Sequence, residues 1–202
     1  MMKSICTLTR RADFSRRQFQ DYYENQHSLL AIQHFPFVGY VRNHVVGGGD
    51  IGFDTISEFW AVDVDKLASL MKGPVGKLLQ EDERRFMDQS LIAPGYARET
   101  VISDGQGPSR RFALLLNWEG EDFDVVNWAR ANVANQPAVS VDQVDAWQQP
   151  AFPAKAVVWT PVSDLLCNVP DSVQADLIEV ERVETPPAQL LGNTDDSERL
   201  PI

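Results

Sequence analysis

The sequence predicts an α+β fold in which two tandem βαββαβ units pack sheet to sheet. Three observations carry that expectation. The same succession of β-like runs and helical runs occurs twice, the helical runs with their apolar residues spaced by three and four. A short stretch, Asp104-Gly105-Gln106-Gly107-Pro108-Ser109, separates the copies with a composition that bends and does not pack. The chain of 202 residues is 44% hydrophobic, which suits a globular protein with a sizeable buried core.

The first copy opens with a β-like run from Lys3 to Thr9, rich in Ile, Thr and Leu. Asp13-Phe14-Ser15 then starts a helix, with Ser15 and Gln18 at the spacing of a capping box. Phe19, Tyr22, Tyr23, Gln26, His27 and Leu30 fall at helical steps and should share one broad face. Pro36 stops the helix at Phe35. Two β runs follow, Gly39 to Val46 and Thr55 to Val62, joined by a glycine-rich turn. Val64 to Met71 and Val75 to Phe86 read as helix, interrupted by Gly73-Pro74, and Ala97 to Ser103 reads as strand.

The second copy repeats the order with losses. Arg111 to Trp118 is a strongly apolar strand, and Asp122 to Gln136 is helical, with Val125, Trp128, Ala129 and Val133 on one face. Val139 to Trp147 and Lys155 to Thr160 are strands, the second helix shrinks to about Ser163 to Cys167, and Gln174 to Val183 is the last strand. Each unit is the ferredoxin-like motif, a four-stranded antiparallel sheet with helices on one face. The bare face of such a sheet needs a cover, and a second sheet supplies one. The expected organisation is a pseudo-dimeric α/β barrel: residues 1–104 carry the site, residues 110–185 are a degenerate repeat, and residues 186–202 form an acidic tail, loose or lying along the surface.

Charge narrows the partners. The 18 basic and 29 acidic side chains give a net charge of −11, with no basic stretch, so nucleic acid and anionic membrane are poor partners. No apolar run suits a spanning helix, and the N-terminal residues lack the features of a signal peptide. Cys6 and Cys167 fall in different halves and form no disulfide framework, so a reducing, cytoplasmic setting is expected.

Phe19-x-x-Tyr22-Tyr23-x-x-x-His27, then Tyr40-x-x-Asn43-His44, then Asp54-x-x-x-Glu58-Phe59-Trp60 resembles the EthD-like branch of the dimeric α/β-barrel superfamily, over about residues 3–103. The second half resembles the fold pattern without the marker residues. The resemblance implies a group of small, mostly cofactor-free proteins. They include dehydratases, decarboxylases and cyclases acting on polyketide-type aromatic compounds, lactone isomerases, and accessory proteins without chemistry. The superfamily also holds heme-degrading and quinol-oxidising monooxygenases, so it fixes the fold better than the reaction.

All three histidines lie in the first half. His27 falls on the apolar helix face, and His44 shares a strand face with Tyr40 and Arg42. If the helix packs on that face, the two imidazoles meet in a cleft and divide acid and base roles; otherwise both are core-edge residues bonded to backbone or tyrosine. His34, in the turn before Phe35-Pro36, suits the helix end. The spacings match no metal-binding pattern, although Glu24, Asp54 or Glu58 could complete a site in space, and heme ligation by His27 or His44 is equally unsupported. Asp54 and Glu58 flank the start of the third strand. They either orient a histidine, or serve a turn (Asp54) and pair with Arg42 across the hairpin (Glu58).

Tyr22, Tyr23, Tyr40 and Trp60 are candidates to line an aromatic-substrate site, with Asn43 or a tyrosine stabilising an enolate oxygen. Gly47-Gly48-Gly49-Asp50-Ile51-Gly52 matches the G-x-G-x-x-G string, but a strand and not a helix follows, so it is a hairpin tip. Cys6 reads as core, and Arg10 and Arg11 as a solvated loop or a carboxylate attractor. The expected function is a cofactor-independent lyase, dehydrating or decarboxylating a small, hydrophobic cyclic or aromatic compound. An isomerase or cyclase comes next, then a non-catalytic binding protein, then a monooxygenase. The expected site is His27 and His44, with Asn43, Tyr22, Tyr23, Tyr40, Asp54, Glu58 and Trp60 around the substrate and no metal or cofactor. Whether the tandem chain forms a homodimer stays open.

Overall fold

The computed structural model describes residues 1–47, 51–62, 64–120 and 123–193. Part of the glycine-rich tip (48–50), the expected start of the second-half helix (122) and the end of the tail (194–202) lie outside the described residues.

The first half runs β1 (Met2–Leu8), α1 (Arg16–Tyr22), a π-helical turn (Tyr23–His27), α2 (Ser28–His34), β2 (Phe37–Val45), β3 (Thr55–Ala61), α3 (Val64–Lys72), α4 (Pro74–Glu83) and β4 (Ala93–Ser103). The second half runs β5 (Arg110–Trp118), α5 (Val125–Val133), β6 (Val139–Ala146), β7 (Ala156–Thr160) and β8 (Val173–Glu184). The strands pair antiparallel and close into a barrel in the order β1-β3-β2-β8-β5-β7-β6-β4. Two seams join the halves: β2 with β8, and β4 with β6.

Alternation along each strand sends one set of side chains inward and the other toward the helices. Ile5, Val45, Ile56, Ala113, Leu115, Val157, Trp159, Ile178 and Val180 fill the barrel. Cys6, Leu8, Tyr40 and Phe59 pack against α1, α2 and α4 outside it. Leu114, Leu116, Val141 and Val158 do the same under α5. No helix among the described residues is long and apolar enough to cross a membrane.

Local chemistry explains most element ends. Ser15 accepts from the Gln18 backbone N–H, and the Gln18 side chain accepts from the Ser15 N–H, completing the expected capping box. Pro74 occupies the first turn of α4, where a missing N–H costs nothing. Gly76 is required next: a Cβ there would lie 1.9 Å from the Met71 carbonyl oxygen, so a side chain would push α3 off α4.

Several expectations need correction. The Ser28 N–H bonds to the Tyr23 carbonyl, five residues back, so the first helix carries one wide turn. That turn keeps Tyr23, His27 and Ser28 buried but rotates Gln26 out to solvent. β4 begins four residues before Ala97, because Ala93 to Ala97 pair with β1. Asp124 caps α5, accepting from the Asn127 N–H, so this helix starts after residue 122 and ends at Val133. The second-half counterpart of α3 and α4 is a single 3-10 turn, Leu166–Asn168. The tail packs through residue 192: Leu190 is buried in the first-half helix layer, and Gly192 lies against the Phe35 backbone.

Candidate active site

A cleft of about 640 Å³ opens between the helix-side face of β1–β3 and the α1–α4 layer. Its walls are mostly apolar, with Cys6, Leu8, Phe37, Phe59, Met71 and Met87 among them. The titratable groups it exposes include His27 and Glu83.

His27 sits at the end of the π turn. Its Nδ1 lies 2.9 Å from Asp82 Oδ2, and the Tyr22 hydroxyl donates to the other oxygen of the same carboxylate at 2.7 Å. The His27 bond, ahead of the Tyr22 bond, holds Asp82 below the usual carboxylate range. An ionised carboxylate only accepts, so Nδ1 carries the hydrogen, and in the neutral imidazole this tautomer leaves the lone pair on Nε2. Among the described residues every buried side-chain N or O has a partner and Nε2 has none, so Nε2 is accessible, on a residue that lines the cleft. The Phe86 and Tyr23 rings hold the imidazole, at centroid distances of 5.2 and 5.3 Å.

Glu83 follows Asp82 on α4 and also lines the cleft. Burial pushes its carboxyl above the ordinary range, while Gln89 Nε2 donates to Oε2 at 2.8 Å and partly offsets that push. The cleft thus holds an oriented imidazole beside a carboxyl that keeps its proton to higher pH than a solvated one.

His44 points to the same side of the sheet but does not line the cleft. Its Nε2 donates to Glu24 Oε1 at 2.6 Å, and its Nδ1 lies 2.7 Å from Thr55 Oγ1. Arg42 makes a two-pronged bond to Glu24, at 2.9 and 2.6 Å. Burial works against the Glu24 charge, but the His44 and Arg42 bonds outweigh it and bring its pKa to about 2. Tyr23 stands between the histidines, edge-on to both rings. The Tyr40 hydroxyl donates to the Tyr23 hydroxyl at 3.0 Å, which lies 2.8 Å from Ser57 Oγ. Burial raises both phenols.

The remaining expected residues lie elsewhere. Asn43, Glu58 and Trp60 face into the barrel, on the side of β2 and β3 opposite His44 and Tyr40. There the Lys3 ammonium lies 2.7 Å from Glu58 Oε2, Glu99 Oε1 and Asp142 Oδ2. Those three carboxylates converge closely enough to hold a metal ion, and the ammonium stands at the centre of the group. Arg111 bonds Glu58 at 2.5 Å and Asn43 Oδ1 at 2.8 Å, with its guanidinium 4.0 Å from the Trp159 ring centroid. Burial acts in opposite directions on the Lys3 ammonium and the Asp142 carboxyl. Desolvation opposes the Lys3 charge but its three carboxylates outweigh it, while burial, then Glu58, pushes Asp142 up to about 6. Burial also opposes the Glu58 charge, yet Lys3 and Arg111 bring it down to about 2.

The cross-strand pair of Glu58 with Arg42 does not form. Glu58 registers against Val41, and Arg42 against Ser57, so the two charges sit on opposite faces. Asp54 accepts from the Arg10 backbone N–H and guanidinium and from Arg16 Nε, tying β3 to the β1–α1 connection. Arg11 pairs with Asp13.

The structure therefore gathers His27, Tyr22, Tyr23, Tyr40 and His44 in one layer and puts Asn43, Glu58 and Trp60 in another. Sequence reading passed over Asp82 and Glu83, because Glu81-Asp82-Glu83-Arg84 looks like a solvated charge run. The signal was helical spacing: Leu79, Asp82, Glu83 and Phe86 follow one another at three, four and seven residues, along the buried face.

Residues 11–90 match the family model described as EthD domain. The first half is EthD-like. The EthD-family protein from Bacillus halodurans C-125 is 22% identical and covers 50% of this chain and 100% of its own, with a TM-score of 0.41. An anthrone oxidase-like protein is 10% identical over 91% of this chain and 93% of its own, with a TM-score of 0.53. A monooxygenase-like protein from Lactobacillus acidophilus NCFM is 10% identical over 92% and 96%, with a TM-score of 0.52. These last two share the fold across both halves: the EthD-like half and its degenerate repeat form one dimeric-type α/β barrel. No curated protein matches the sequence.

Proposed function

We propose that the EthD-like cleft performs cofactor-independent acid–base chemistry on a small cyclic or aromatic, polyketide-like compound, as a lyase that dehydrates or decarboxylates it. Isomerisation or cyclisation would use the same proton transfers. The supporting observation is that one mainly apolar cleft is lined both by His27, oriented by Asp82, and by the raised Glu83 carboxyl. Asp82 orients the imidazole and stabilises the imidazolium that forms when Nε2 takes a C–H proton. In a dehydration the C–H electrons form the new double bond, the C–O bond breaks, and Glu83 supplies the proton with which hydroxide leaves as water. His27 then returns its proton to Glu83 through solvent, and the cycle closes without a change of redox state.

In this reading His44 is a positioning residue. It fixes Glu24 and, through the edge of Tyr23, the seat of His27. A panel of phenolic β-hydroxyketones, β-ketoacids and lactones, incubated with wild type and with His27→Ala, tests the proposal by mass spectrometry of the products. Loss of water or carbon dioxide, or an isomer, formed by wild type and at least a hundredfold slower in the variant is the expected result. Saturable binding with no product would favour a ligand-binding protein. Incorporation of an oxygen atom would favour the monooxygenase chemistry named for the fold neighbours.

A further inference from the structure

The mouth of the cleft is partly built by the repeat half. β6 pairs with β4 as far as Gly95↔Ala146, and the chain leaving Ala146 carries Trp147 and Gln148 onto the cleft wall. Gly95 makes the approach possible, since a Cβ there would lie 2.5 Å from Val144 Cγ1. Gln148 Nε2 donates to the Ile92 carbonyl at 3.2 Å and pins the segment to the first half.

This places the Trp147 ring beside Tyr96, with centroids 4.2 Å apart and planes inclined by 50°. Both rings line the cleft, yet Trp147 is 44% and Tyr96 43% exposed. Met71, 41% exposed, and the partly buried Ile92 line the same cleft. Two large aromatics left open together over an apolar cavity are surface that a bound ring would cover. The same cleft is lined by His27 and Glu83, so the reactive end of a ligand belongs beside them and its apolar end against the exposed rings.

We infer that Trp147 and Tyr96 form an aromatic specificity site that selects ligands carrying a planar, fused aromatic ring. The inference rests on the cleft being a ligand site and is independent of which proton moves there. It gives the repeat half a part in recognition beyond closing the barrel. Aromatic pairing adds roughly two- to tenfold in affinity beyond equal buried area, so ring flatness and not bulk is what the site reads.

The test compares binding of 2-naphthol with its saturated analogue, decahydro-2-naphthol, by equilibrium dialysis. Wild type should favour 2-naphthol. Trp147→Leu should weaken 2-naphthol about fivefold and leave the saturated alcohol within about twofold, while Trp147→Phe should recover most of the loss. His27→Gln should keep the preference, which separates this inference from the proton-transfer reading. Absence of saturable 2-naphthol binding to wild type, equal losses for both alcohols, or no change in Trp147→Leu would each overturn it.

Discussion

Replacing Lys3 by Met should be among the most damaging single changes in the barrel, and the reason can be worked from distances. The Lys3 side chain is 3% exposed, and its ammonium lies 2.7 Å from carboxylate oxygens of Glu58, Glu99 and Asp142. Methionine fills similar space, so the main loss is electrostatic. Arg111 still partners Glu58, whereas Asp142 loses its cation and keeps the Trp159 N–H at 2.7 Å. Breaking a buried ion pair from one side costs about 3–5 kcal/mol, which for a chain of this size lowers Tm by roughly 6–20 °C. Without Lys3 the carboxylates bind protons more tightly in the folded than in the unfolded state, so the penalty should shrink as pH falls from about 7 to about 5. Adding Asp142→Asn should restore part of the loss. Urea unfolding of the single and double variants at both pH values measures this directly. A loss below about 1 kcal/mol at pH 7, or one of equal size at both, would refute the argument that the ammonium neutralises buried carboxylates.

Three further outcomes rest on the same layers. Glu58 and Glu24 are held near pKa 2 in the fold, below their unfolded value of about 4.3, so the stability they contribute is complete above that value and is lost as pH falls toward 2. Asp142, raised to about 6, acts in the opposite sense: it favours the fold as pH drops from about 6 to 4, and Asp142→Asn should remove that limb from a plot of urea midpoint against pH. Residues 1–104 expressed alone would bare Ile5, Val45, Ile56 and Ala97 and leave the β2 and β4 edges open. The fragment should self-associate or precipitate in sedimentation experiments, and a stable monomer would contradict the view that the repeat half is the cover of the first sheet.

Much of this architecture was legible because its signals are local. Apolar and β-branched runs marked the strands apart from the first residues of β4, Ser15 and Gln18 marked the start of α1, and Gly73-Pro74 separated α3 from α4. The π turn was not legible: one wide turn inside a helical run leaves no residue signature, and it decides that Gln26 faces solvent while Tyr23 and His27 stay buried. Helix-face reasoning found His27 and Tyr23 but not Glu83, nor Asp82, whose partner His27 lies 55 residues away in the chain. The split of Asn43 from His44 follows from strand alternation, since adjacent residues face opposite sides. Lys3, Arg111 and Asp142 meet only because the barrel closes, and Trp147 reaches the cleft only through the β4–β6 seam. Long-range pairing of that kind is written in topology and not in spacing.

Hydrogen exchange into 2-tetralone, an aromatic ring fused to a cyclic ketone with acidic benzylic C–H bonds, tests the acid–base cleft most directly. Proton NMR in D2O would follow loss of the C1 signal with wild type, His27→Gln and Glu83→Gln. The account predicts exchange faster than buffer alone with wild type, and return to the buffer rate in His27→Gln. Exchange no faster than buffer with wild type, or equally fast in His27→Gln, would contradict the assignment of His27 as the group that moves the proton.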